Sequence, residues 1–135
     1  MNPKIIFLAD DDSDDLELLE EAFMGLESTV IINKVSSGKE ALAYLNNCSV
    51  EKLPCLIILD YNMHDLTGVE VLKKLYQNPE FKTIPVIIWS TSNAPIYKEL
   101  SMKEGAIKYF EKPDNFEGIK KLALKMFHFC NLNDN

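Results

Sequence analysis

The sequence predicts an open α/β sheet of parallel strands, on three observations. Apolar runs of strand length recur at residues 5–8, 30–32, 56–59, 86–89 and 107–110. Stretches of helical periodicity separate them. The third and fourth runs, Leu56-Ile57-Ile58-Leu59 and Val86-Ile87-Ile88-Trp89, do not alternate with polar residues, which is the pattern of strands covered on both faces and paired in parallel. A length of 135 residues suits one domain, and the whole chain, 1–135, is expected to form it with no output domain attached.

The first run, Ile5 to Leu8, is rich in β-branched and aromatic residues. Leu16, Leu19, Phe23 and Leu26 then share one helical face, with Glu17, Glu20 and Glu21 turned outward. The second run is followed by a helix at 38–47, the third by one at 68–78, the fourth by one at 94–103 and the fifth by one at 115–130. On that last helix Ile119, Ala123, Met126 and Cys130 make an inward stripe, while Leu124 falls on the side of Lys120, Lys121 and Lys125. Strands and helices alternate with no repeat, low-complexity tract or linker between them.

Composition removes several classes of function. No apolar run approaches the roughly 20 residues of a membrane span, and the N-terminal apolar run ends at carboxylates rather than at a small-residue cleavage site, so neither membrane insertion nor secretion is expected. A net charge of -7 disfavours nucleic acid as a partner. Cys48, Cys55 and Cys130 form neither an even set nor a Cys-x-x-Cys pair, so no disulfide framework or zinc site is signalled and a reducing, cytoplasmic compartment fits.

In sheets of this kind, ligands bind at the carboxyl ends of the strands, and the residues there are informative. The first strand ends in Asp10-Asp11-Asp12-Ser13-Asp14-Asp15. Ser13 can cap the next helix, with Asp14 and Asp15 favourable in its first turn. Asp10, Asp11 and Asp12 have no such account: carboxylates crowded at a strand end repel, and a cation would relieve them. Asp60 closes the third strand, and the loop after it, including Asn62, can offer the carbonyl oxygens that hard cations need. Ser90, Thr91 and Ser92 follow the fourth strand and could cap a helix or bind an anion. Lys112-Pro113 follows the fifth. Together these groups suit phosphoryl transfer: a metal and a lysine neutralise the equatorial oxygens, a hydroxyl donates to one, and a carboxylate attacks in line.

Carrying these motifs in this order, the chain resembles the response-regulator receiver domains of two-component signalling, stand-alone chemotaxis regulators among them. The resemblance implies the flavodoxin-like (βα)5 fold with strand order 2-1-3-4-5. It implies that Asp60 takes a phosphoryl group from a sensor histidine kinase or histidine phosphotransfer protein, with Mg2+ held by Asp10, Asp11, Asp60 and the backbone carbonyl of Asn62. Ser90, Thr91 and Lys112 would bind the phosphoryl group, Ser90 and Tyr109 would act as switch residues, and the peptide bond before Pro113 would be cis. Signalling would pass to a protein target through the face formed by residues 94–131, with a second copy of the chain as a further partner. The chain would then be a phosphoacceptor with its own phosphorylation and dephosphorylation chemistry, not a dedicated enzyme. His64 stands where that family often has proline and reads as a solvated loop residue.

Two other classes compete. A haloacid-dehalogenase-like phosphatase also pairs an aspartyl nucleophile with magnesium, but needs Asp-x-Asp-x-Thr or Val, and Asp14 stands at the final position. A receiver-like binding module that no longer takes phosphate would lack a key residue, and none is missing.

Overall fold

A computed structural model describes residues 3–130. The elements run β1 (Ile5–Ala9), α1 (Ser13–Leu26), β2 (Ile31–Val35), α2 (Gly38–Asn46), β3 (Leu56–Asp60), α3 (Gly68–Leu75), β4 (Val86–Ser90), α4 (Pro95–Lys103), β5 (Lys108–Glu111) and α5 (Phe116–Cys130). Short 3-10 turns lie at Val50–Lys52 and Pro79–Phe81. All strand pairs are parallel, in the order β2-β1-β3-β4-β5, so the expected fold class and topology are the observed ones.

The lack of alternation in the central strands has its reason in the two cores they separate. Ile6, Leu8, Ile58, Ile87 and Trp89 face α1 and α5, where they meet Leu19, Phe23, Ile119, Ala123 and Met126. The intervening residues Phe7, Ala9, Ile57, Leu59, Val86 and Ile88 face Ala41, Leu45, Val71, Leu72 and Leu75 of α2 and α3. Each fully buried aliphatic side chain contributes about 1.5–3 kcal/mol, so both faces of these strands are needed for stability. Leu124 stands exposed on the outer side of α5, as its periodicity implies.

Two boundaries and one buried position differ most from the sequence reading. β2 begins at Ile31 and continues through Asn33 and Lys34 to Val35; it is an edge strand paired only with β1, so polar residues fit where a search for apolar runs stops. α3 ends at Leu75, short of the stretch read as helix, and Pro79 opens a 3-10 turn just beyond that stretch. Leu26 lies 42% exposed at the last position of α1, and Ala22 takes the buried place on that helix instead.

The cysteines require a correction. The fold joins Cys55, just before β3, to Cys130 at the end of α5 as a disulfide, with Cα atoms 4.9 Å apart, inside the range a bridge needs. The partners are 75 residues apart in sequence, so count and spacing carried no trace of them. Among the described residues, no helix is long and apolar enough to cross a membrane.

The loop between β3 and α3 is fastened at two points. A Cβ on Gly68 would stand 2.6 Å from the backbone oxygen of Asp60, so α3 can start this close to β3 only with glycine there. The Asp65 carboxylate accepts hydrogen bonds from the backbone N–H groups of Gly38 (2.9 Å), Lys39 (2.8 Å) and Leu66 (2.8 Å), tying the loop to the N-terminus of α2. Desolvation, the largest single influence, pushes its carboxyl up, but the hydrogen bonds together outweigh it and hold the carboxyl down at about 2.

Two outcomes follow. Gly68→Ala gains helix propensity of about 1 kcal/mol, but the clash is with immovable backbone, and a net loss of about 2 kcal/mol is expected in urea unfolding. Asp65→Ala should cost about 1 kcal/mol. The contribution of Asp65 is present above its unfolded value of 3.8 and lost as pH falls toward 2, so the wild-type and Asp65→Ala melting curves should converge in acid.

Candidate phosphoacceptor and metal site

Parallel pairing delivers four strand ends to one edge. Asp10 follows β1, with its N–H donating to the carbonyl of Val35 (3.2 Å). Asp60 is the last residue of β3 and Ser90 the last of β4. Lys112 follows β5, and its N–H donates to the Ser90 carbonyl (2.6 Å). Asp10, Asp60 and Ser90 are all buried. One carboxylate oxygen each from Asp10, Asp11 and Asp60 lies within 4.8 Å of the others, a spacing that a single cation with oxygen bonds of about 2.0–2.6 Å can bridge.

Lys112 sits against this cluster. Its Nζ lies 2.9 Å from Asp10 Oδ2, 2.9 Å from Asp15 Oδ2 and 3.3 Å from Asp60 Oδ1, and 5.0 Å from the centre of the Trp89 ring. Acidic groups outnumber the basic one, because Asp10, Asp15 and Asp60 share one ammonium and Asp11 adjoins Asp10 and Asp60. Burial, followed by the charge of Asp10, pushes the Asp60 carboxyl up to about 8, against the pull of Lys112. Burial likewise holds Asp10 above its ordinary value. Lys112 is held above its own ordinary value: desolvation opposes this, but the facing carboxylates outweigh it. Asp10 Oδ2 is buried without an aligned hydrogen bond, since the nearby Nζ lies out of its bonding direction. An oxygen left in that condition, beside carboxyls driven to keep their protons, fits a divalent cation as the missing partner.

The other expected residues are placed as follows. Ser90 Oγ accepts from the N–H of Ser92 (3.1 Å), and Thr91 is exposed beside it. The Tyr109 hydroxyl donates to the Ser92 carbonyl (2.6 Å), so the half-buried ring of β5 is tied to the loop that leaves Ser90. The N–H of Asn62 points to Asp60 Oδ1 at 3.4 Å. His64 is exposed, with Nδ1 3.9 Å from Asp11 Oδ2. Asn131, one end of the expected signalling face, lies outside the described residues.

Three assignments change. The Lys112–Pro113 peptide bond is trans, not cis; both isomers are accessible before proline, and in the trans form Pro113 packs onto Gly118 in the first turn of α5. Asp12, not Ser13, caps α1, its Oδ1 accepting from the N–H groups of Asp14 (3.0 Å) and Asp15 (3.3 Å). Asp15 does more than favour the helix start, since its carboxylate reaches Lys112, 97 residues away. No local pattern in the sequence announces that contact.

The cation-free site should make the protein less stable as pH rises. A carboxyl raised from 3.8 to about 8 contributes stability that is full below pH 4 and lost as pH climbs through 8. Asp60→Asn should therefore stabilise the protein in EDTA at pH 8 by on the order of 1 kcal/mol, or roughly 3–5 °C in Tm. The gain should vanish at pH 4 and shrink when Mg2+ is added to both proteins.

Comparison with known proteins agrees with this geometry. Residues 6–123 match the response regulator receiver domain family. The rice (Oryza sativa subsp. japonica) protein "Two-component response regulator ORR7" is 36% identical over 95 residues, which cover 70% of this chain and 44% of that protein, so the chain spans less than half the length of this relative. The phosphorylated cyanobacterial phytochrome response regulator RcpA superposes with a TM-score of 0.88 at 29% identity, over 99% of this chain and 98% of that one. The Mn(2+)-bound form of response regulator Rcp1 gives 0.82 at 28% identity, over 98% of each. With the five-stranded topology and an acidic pocket at its carboxyl edge, the chain belongs to the response regulator receiver domains of two-component systems.

Proposed function

We propose that the protein accepts a phosphoryl group on Asp60 from a sensor histidine kinase or histidine phosphotransfer protein and relays the event to a protein partner by a change of conformation. The observation that carries this reading is the Asp10, Asp11 and Asp60 cluster with Lys112 laid against Asp60. In the transfer, the N–P bond of the phosphohistidine breaks as a bond forms from phosphorus to an Asp60 carboxylate oxygen, and the imidazole leaves with the electron pair and takes up a proton. Mg2+ held by Asp10, Asp11, Asp60 and the Asn62 carbonyl would supply charge neutralisation; Mn2+ in the related Rcp1 supports a divalent ion at such a pocket. Lys112 supplies the second positive charge, and Ser90 with Thr91 supplies hydroxyl donors to the phosphoryl oxygens.

The path outward begins at Ser90. Its Oγ and the Tyr109 hydroxyl both engage Ser92, so a movement of Ser90 toward a phosphoryl group disturbs the bond that places Tyr109. Tyr109 lies on β5 between α4 and α5, where Ile96, Leu100 and Leu124 stand exposed for a partner. Phosphorylation acts by differential contacts with two states of this face. The phosphatase alternative loses ground on a specific observation: the carboxylate two residues after Asp10, that of Asp12, is occupied in capping α1.

Trp89 packs beside Lys112 and should report occupancy of the site. Its fluorescence is expected to change on addition of Mg2+ and again on addition of beryllofluoride, a phosphoryl mimic. With a small-molecule phosphodonor, the intact mass should rise by one phosphoryl group in the wild type and stay unchanged in Asp60→Asn. Equal phosphorylation of both proteins would sink the assignment of Asp60. Lys112→Gln should weaken beryllofluoride binding by about tenfold or more.

A further inference from the structure

Lys112 is shared among three carboxylates unequally. Its aligned hydrogen bond runs to Asp15 Oδ2 at 2.9 Å. Asp10 Oδ2 stands equally close but receives no aligned bond, and Asp60 Oδ1 is farther, at 3.3 Å. Asp15 comes from the first turn of α1, its side chain 22% exposed, while the Lys112 side chain is 7% exposed. The resting ammonium is thus drawn toward α1 and off the phosphoacceptor.

We propose that Asp15 is a positioning residue for Lys112, holding the lysine away from Asp60 and so setting how tightly the pocket grips a phosphoryl group. The inference rests on Asp60 being the phosphoacceptor. A phosphoryl group on Asp60 requires the ammonium to turn toward its oxygens, and Asp15 opposes the turn in two ways: it competes for the same N–H groups, and it adds a negative charge next to an incoming anion. The opposing consideration is order, since an untethered lysine has rotamer freedom to lose on binding. Here that loss is small. Lys112 stays confined by burial, by Asp10 at 2.9 Å and by the Trp89 ring at 5.0 Å, so removing Asp15 re-aims the ammonium without freeing it. The net effect of Asp15 is to loosen the grip.

The test compares beryllofluoride affinity, read by Trp89 fluorescence in saturating Mg2+, among the wild type, Asp15→Asn, Asp15→Glu and Asp14→Asn. Asp14 is an exposed acid in the same helix turn, so its variant removes equal charge from α1 away from the lysine. Asp15→Asn should tighten binding by about fivefold, whereas Asp15→Glu, which keeps the carboxylate, and Asp14→Asn should stay within about twofold of the wild type. Unchanged or weaker binding in Asp15→Asn, or an equal gain in Asp14→Asn, overturns the proposal. The 15Nζ resonance of Lys112 provides a second measurement that does not depend on binding: it should shift in Asp15→Asn and not in Asp14→Asn, and an unmoved signal also overturns the proposal. Wild-type protein that fails to bind beryllofluoride would overturn both this proposal and the phosphoacceptor reading, while normal wild-type binding with a silent Asp15→Asn would overturn this one alone.

Discussion

The interaction on which the site depends is an unbalanced one: three carboxylates, those of Asp10, Asp15 and Asp60, gathered around a single buried ammonium, with Asp11 beside them. Two unit charges 4 Å apart at an effective dielectric near 20 interact by about 4 kcal/mol, so Lys112 can neutralise part of the cluster and no more. The remainder is met by protonation, with the Asp60 carboxyl raised to about 8. Under the proposed function, a divalent cation would do the same work without the proton and would leave the Asp60 carboxylate ionised for attack, so metal binding and nucleophile activation would be one event.

Holding such a cluster together requires a scaffold that cannot relax, and the fold supplies it through close approaches. β1, β3 and β4 are packed on both faces, so their carboxyl ends cannot tilt away from one another. Gly68 lets α3 begin against the Asp60 carbonyl, and Asp65 clamps the intervening loop to α2. These contacts fix Asp60 from the protein side while leaving its carboxylate oxygens to the pocket. Mutual repulsion is thus opposed by packing several residues deep, whose stabilisation is spread through both cores.

The parts of this arrangement that were legible in sequence are those set by position along a strand. A polar residue just after an apolar run lies at the carboxyl edge of a parallel sheet, and that placed Asp10, Asp60, Ser90 and Lys112 together. Residues whose roles depend on a partner from elsewhere in the fold were not legible. Asp15 looks like a helix-start residue and reaches Lys112; Cys55 and Cys130 share no local pattern and meet because α5 ends over the start of β3. Even Asp12 and Ser13, neighbours that both make acceptable caps, were separated only by the backbone, which turns helical at Ser13 and leaves Asp12 extended, with φ -95° and ψ 105°. β2 was cut short for a related reason, since an edge strand does not need the apolar run that marks a central one.

Packing is also unequal among the helices, which bears on how a local charge change would spread. α1 and α5 bury long apolar stripes, but α4 buries only Ser101 and presents Ile96, Leu100 and Met102 to solvent. A helix with so little buried surface is the cheapest element to shift. It is also the element joined directly to Ser90, through a loop whose Ser92 bonds both Ser90 Oγ and, by its carbonyl, the Tyr109 hydroxyl. Rearranging that loop exchanges a few hydrogen bonds, each worth about 0.5–1.5 kcal/mol net, whereas displacing α5 would open a core holding Ile119, Ala123 and Met126. Under the proposed function, charge placed at Asp60 would therefore find its least costly outlet toward α4 and β5, and the rigidity of the remaining layers would direct it there.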